Sequence, residues 1–357
     1  MHSEKRLKQR KAKQMKAKIK EYWFLPVYFA FAVSALIIHP LTGEEIVDFP
    51  WRTVCYLFML LLVEEGIKKE NIVLPVFRLL NSVRSTPFMF FLLLLSAFLL
   101  SLFLFPFMVV LIMVPFTIRL LGESRKEKYT VSAAAMITLI SVTSSLFTPF
   151  SPANLYLFLD TDVSYTTYMP SLLIPYGISF AICVIEAFVL YRGTKGDEIY
   201  LHIENEEYWD RERRGMRILY IAFFLVILFG RRFNTIDLLL VVALAFLILD
   251  RGIYKKINWA LFLTLASIVL SGYVLSKTGV TENRIIALVT SVLLTRLGSY
   301  AAGIGTEAAL PSVILSLSFS FIYALREMKE QRKAFIKEYI LLAFPHLIVF
   351  FIFFMLS

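Results

Sequence analysis

Seven residues, Thr148-Pro149-Phe150-Ser151-Pro152-Ala153-Asn154, bring two hydroxyls, two prolines and an amide into an otherwise apolar stretch. Polar groups at membrane depth are costly unless they are buried in protein or line a wet cavity. Pro149 and Pro152 lack an N–H donor, so a helix entering near Tyr129 is expected to break here and free N–H and C=O groups. Those groups, with Thr148, Ser151 and Asn154 and with Ser144 and Ser145 one turn earlier, would form a cup for a small oxyanion. The same hydroxyls could instead bond back to the preceding helical turn. Two charged residues extend the set. Arg296 could neutralise a carboxylate or sulfate through a bidentate pair, pair with Glu307, or reach out to an interface. Glu186 lies midway along an apolar run, where a carboxylate carries a proton or serves helix packing. Substrate is expected between the Thr148–Asn154 break and the Ser299–Thr306 region.

The elements that must hold these residues follow from hydropathy. Of 357 residues 58% are hydrophobic, 33 of them Phe, and the mean hydropathy is +0.71. Apolar runs near bilayer-crossing length recur at about 22–41, 50–66, 86–121, 129–158, 168–192, 217–231, 234–250, 258–276, 284–303, 307–325 and 337–356. The fold class is therefore an all-α polytopic membrane protein with about 10–11 hydrophobic segments. The first run follows a basic stretch with no small-residue cleavage site, so it reads as a span and not a removable signal.

The net charge of +10 does not point to nucleic acid. Residues 1–20 hold nine Lys/Arg against Glu4 alone, directly before the first span, which is a topology and anionic-lipid signal. Cys55 and Cys183 lie in apolar segments and read as small buried residues. The histidines are scattered, with His39 and His346 placed at apolar segment ends, each beside a proline. No metal-ligand spacing, Walker loop, dinucleotide fingerprint or nucleophile elbow is present, so neither an enzyme nor a cofactor is expected.

Positive-inside bias puts the N-terminus in the cytoplasm of a multi-pass protein of the cell (inner) membrane. The 42–49 loop, with Glu44, Glu45 and Asp48, is then external, and Lys68, Lys69, Arg78 and Arg84 mark an internal connection. The run from Pro87 to Leu121 is too long for one crossing and ends on internal charges, so it must return on itself near Pro106. A re-entrant hairpin is the preferred form and two short full spans the alternative. Division of the chain follows: a basic segment at 1–20, a first membrane repeat at 21–192, a charged cytoplasmic linker at 193–216, and a shorter second repeat at 217–357. Pro50-Trp51-Arg52 and Asn258-Trp259-Ala260 open similar runs of opposite direction, as an inverted repeat requires.

At these residues the chain resembles the divalent-anion/Na⁺ symporter and citrate-permease group of the ion transporter superfamily. Val114-Pro115-Phe116-Thr117-Ile118 is similar to that group's hairpin exit. Thr148-Pro149 through Pro152-Ala153-Asn154-Leu155-Tyr156-Leu157 resembles its broken-helix motif, and Leu294-Thr295-Arg296-Leu297-Gly298-Ser299-Tyr300 its second hairpin. The resemblance implies two inverted repeats, each with a re-entrant hairpin and a broken helix, and a homodimer assembled through the scaffold. It implies a secondary active transporter of a small anionic substrate, a di- or tricarboxylate or an inorganic oxyanion. Na⁺ or H⁺ would be the coupling ion, with Thr148 and Glu186 as candidates. The sequence departs from the pattern where the group's polar hairpin tip becomes Phe105-Pro106-Phe107 and where the second gate is shortened. A different reading follows from those losses: a degenerate homologue serving as a membrane scaffold, sensor or partner-binding subunit.

Overall fold

The computed structural model describes residues 24–70, 72, 85–147, 152–160, 165–192, 214–229, 233–279, 282–304 and 319–356. The basic segment at 1–20 and almost all of the 193–216 linker lie outside them. The first five helices are α1 (Phe24–Ile38), α2 (Gly43–Val47), α3 (Trp51–Lys69), α4 (Thr86–Phe103) and α5 (Pro106–Glu123). Then come α6 (Thr130–Ser144), α7 (Pro152–Leu159), α8 (Tyr165–Tyr191), α9 (Arg214–Phe229) and α10 (Thr235–Leu249). The chain closes with α11 (Trp259–Lys277), α12 (Arg284–Ala301), α13 (Phe319–Glu327) and α14 (Arg332–Leu356). Each apolar run of the sequence carries helix, and the described residues form no strand. Among them six helices are long and apolar enough to cross a membrane, and three shorter ones are also apolar. Large side chains such as Ile37, Phe188, Ile248 and Phe344 point outward, the surface a bilayer would cover.

Two groups of helices pack around two axes. α6 is the axis of the first, touching α4, α5, α8, α13 and α14. Every residue from Ser132 to Leu146 is buried, and small residues (Ser132, Ala133, Ala134, Ala135, Ser141) let the neighbouring helices approach closely. α3 is the axis of the second group, touching α9, α10 and α11, while α11 also packs on α1 and α12. The short α7 follows α6 in the chain but packs in the second group, on α3 and α12. At its end Asp160 accepts from the backbone N–H of Thr53 (3.2 Å) and from its hydroxyl, capping the first turn of α3.

α4 and α5 form the expected hairpin, turning at Leu104 and Phe105. Pro106 opens α5 at the position where its missing N–H costs nothing. Each leg has 18 residues, about 27 Å at 1.5 Å rise, close to the thickness of a hydrocarbon core. By length alone the legs satisfy both the re-entrant form and two full spans.

The paired tryptophan openings take one local structure. Trp51 donates through its indole N–H to Ile46 O (3.0 Å), and Trp259 does the same to Tyr254 O (3.2 Å), five residues back in each case. Both follow a short helical turn and begin 19-residue helices. Phe49 meets Tyr273 while Phe58 meets Trp259, so α3 and α11 run antiparallel. That is the relation an inverted pair requires of these two helices.

The Lys69 end of α3 is tied to α9 and α10 through Asp250. Lys69 and the Tyr220 hydroxyl (2.6 Å) both donate to its carboxylate. Burial would raise the Asp250 pKa, but these two hydrogen bonds and the nearby ammonium charges outweigh it and hold the carboxyl below the usual carboxylate range. A pKa lowered by folding stabilises the fold above the unfolded value near 4, and that contribution is lost as pH falls through the folded value. The difference in melting temperature between the parent and Asp250→Asn is therefore expected to be full at about pH 7 and smaller at about pH 3. Thermal unfolding in detergent at the two pH values checks this; a difference that grows on acidification would contradict it.

Candidate functional site

The polar motif lies between two helices. α6 ends at Ser144, the chain tightens into a 3₁₀ turn at Ser145–Phe147, and α7 begins at Pro152. Thr148 and Ser151 lie outside the described residues. Asn154 is fully buried, and its amide nitrogen donates to Ser145 O (3.2 Å) and Leu146 O (3.4 Å). Those carbonyls belong to the end of the first helical segment. Asn154 thus clips the start of α7 to the end of the preceding turn.

The serines use their protons locally. Ser144 Oγ donates to Ser141 O (3.3 Å) and Ser145 Oγ to Val142 O (2.6 Å), the back-bonding alternative weighed for these hydroxyls. Ser299 Oγ donates to Thr295 O (2.6 Å) in the same manner. In this conformation the three hydroxyls offer lone pairs. An anion would need their protons redirected, or the backbone N–H groups of the motif.

α12 carries the second set of candidates and packs along α7, which brings the two halves of the chain together. It is interrupted at Thr295, with φ 62° and ψ 177°. A β-branched residue in this region is strained, at a cost of roughly 1–3 kcal/mol, and such strain collects at functional sites. The interruption falls one residue before Arg296, inside the stretch similar to a second hairpin. The Arg296 side chain, Thr306 and Glu307 lie outside what is described.

Glu186 faces α14. Its Oε2 lies 3.6 Å from His346 Nε2, and His346 Nδ1 lies 2.5 Å from Ser179 Oγ. The position expected for His346, at a segment end, is corrected: it sits mid-helix in α14, fully buried. Neither Glu186 Oε2 nor His346 Nε2 has a hydrogen-bond partner among the described residues. Cys183, one turn before Glu186, is buried, and Cys55 is half-buried; both are free thiols.

A family model for citrate transporters matches residues 24–355, from the first described helix to the last. The chain belongs to the citrate transporter family. No curated protein matches it. Membership places α4, α5, the α6–α7 junction and α12 in a multi-pass transporter frame. Within this citrate transporter family member the hairpin tip is apolar, since Phe105 and Phe107 are both buried. The polar group at the tip comes from elsewhere. Glu64 of α3, 1% exposed, accepts the Phe105 N–H through Oε1 at 2.7 Å. Sequence reasoning missed Glu64 and His346 alike. Glu64 stands in an apolar helix four residues before Lys68, and that position alone was its signal.

Proposed function

We propose that this chain is a secondary active transporter of small anions, di- or tricarboxylates or inorganic oxyanions, working by alternating access. The family match across both halves carries this reading. Its location between the α6–α7 junction and α12 is supported by the packing of α7 on α12 and by the strained Thr295. Substrate would meet Thr148, Ser151 and Arg296 together with the backbone N–H groups at the start of α7, and a positive helix end favours negative charge there. The first group of helices, α6 among them, would move against the second, which holds α7. Asn154 would act as a positioning residue that holds the junction's shape. Glu186 with His346 forms an intramembrane acid–base pair suited to carrying a proton, and Na⁺ is the other coupling ion to be tested.

Uptake of labelled citrate, succinate and sulfate into proteoliposomes, with and without a Na⁺ or H⁺ gradient, tests the reading. Saturable uptake of at least one anion, matched by ligand-dependent thermal stabilisation, is expected. The apolar tip and the inward-bonded serines favour a second reading, a scaffold or sensor derived from a transporter. Absence of both uptake and stabilisation across the anion series would favour it.

A further inference from the structure

Glu64 offers more than a contact at the hairpin tip. Its second oxygen, Oε2, is buried and has no hydrogen-bond partner among the described residues. The residue lies five positions before the end of α3, about 8 Å along the axis from Lys69. It lines a cavity of about 370 Å³ at that lysine-bearing end, which positive-inside bias assigns to the cytoplasm.

The groups facing this cavity are charged on every side except the hairpin's. α3 contributes Glu65 and Lys68, which lie 3.9 Å apart. Lys255 and Lys256 come from the turn before α11, and α13 adds Tyr323, Arg326 and Glu327. The hairpin itself contributes only Phe107, Met108 and Leu111. Four cations thus face two carboxylates besides Glu64. The Phe105 N–H favours an ionised Glu64, whereas its burial favours the neutral acid. A polar cavity of this size has room for water, and Glu64 forms part of its wall.

The contact also crosses the boundary between the two helix groups, since Glu64 belongs to α3 and Phe105 to the hairpin packed on α6. A hydrogen bond to an ionised carboxylate is roughly twice as strong as one to a neutral group. We propose that Glu64 is a protonatable latch. Ionised, it holds the hairpin tip to α3 through the Phe105 N–H; a proton taken onto Oε2 from the cavity weakens that hold and frees the tip. Its purpose rests on the transport reading, because this boundary is the one alternating access must open.

The test reads tip movement without substrate. In the full chain carrying Cys55→Ser and Cys183→Ser, a reporter cysteine is placed by Met108→Cys, with Leu111→Cys as a second position should the first fail to fold. Alkylation by a water-soluble maleimide is followed from about pH 5 to about pH 9, with and without Glu64→Gln, which mimics the neutral acid. At high pH the Glu64→Gln background should label about fivefold faster than its parent, and the ratio should fall to one at low pH. Taking the ratio at each pH cancels the reagent's own pH dependence. A ratio that stays flat with pH at both reporters overturns the latch. Because no anion is added, a flat ratio with uptake intact removes the latch alone, and lost uptake with a pH-dependent ratio removes the transport reading alone.

Discussion

Asn154→Leu is expected to lower anion uptake at least tenfold and to cost about 2 kcal/mol of stability. Leucine keeps asparagine's heavy-atom count and branching, so the change removes the amide chemistry while adding some volume. It removes the two donors that reach Ser145 O and Leu146 O, in a fully buried position where water does not replace them. Losing two hydrogen bonds, each worth about 1 kcal/mol, gives the expected cost. The consequence for transport is geometric. Asn154 sets the spacing between the end of α6 and the start of α7, and the N–H groups at that start are the backbone donors proposed to meet the anion. A misplacement of about 1 Å at such a site is enough for a loss of two orders of magnitude. Thermal unfolding and uptake measured on one preparation separate the two effects. Reduced uptake that persists under conditions restoring full folding assigns Asn154 to the site, and undiminished uptake removes the assignment.

The extent of what could be read in advance follows from the range of each interaction. Hydropathy at bilayer length is local, so the runs at 50–66, 129–158 and 258–276 reappear as α3, as α6 with α7, and as α11. Proline chemistry is local as well, and Pro106 and Pro152 both open helices. Side-chain direction is not local. Whether the Ser145 hydroxyl points to substrate or to Val142 O is a choice of rotamer, and the sequence supports either. Glu64 shows the same limit over a longer distance. Its partner Phe105 lies 41 residues away, and a Glu close to Lys68 reads as an ordinary interfacial charge until the hairpin is folded against it. His346 was misplaced because Pro345 suggested a helix end, yet α14 continues through both residues. Neighbouring helices in a membrane bundle keep a proline-containing helix intact by re-satisfying its freed carbonyls.

Gly66→Ala is expected to destabilise the α3–α9 contact by about 2 kcal/mol, although alanine is the better helix former. A Cβ at position 66 would overlap the Cδ1 and Cε1 atoms of the Tyr220 ring. Tyr220 has nowhere to go. It is fully buried, its ring stacks on Phe246, and its hydroxyl is held by Asp250 at 2.6 Å. The helices must therefore separate or the Asp250 hydrogen bond must break. Overpacking of this kind costs roughly 1–3 kcal/mol, and the severity of the overlap places it at the upper end. The gain of about 1 kcal/mol for replacing glycine in a helix offsets only part of it. A double-mutant cycle with Tyr220→Leu decides the cause, since residues in contact give non-additive effects. Gly66→Ala should be far less damaging once the ring is gone, at the price of the Asp250 hydrogen bond. A melting temperature for Gly66→Ala equal to or above the parent's would mean that α3 and α9 are not packed at van der Waals distance there. If the clash is real, the same variant should leave labelling at Met108→Cys unchanged, because Gly66 faces α9 while the hairpin tip meets α3 at Glu64.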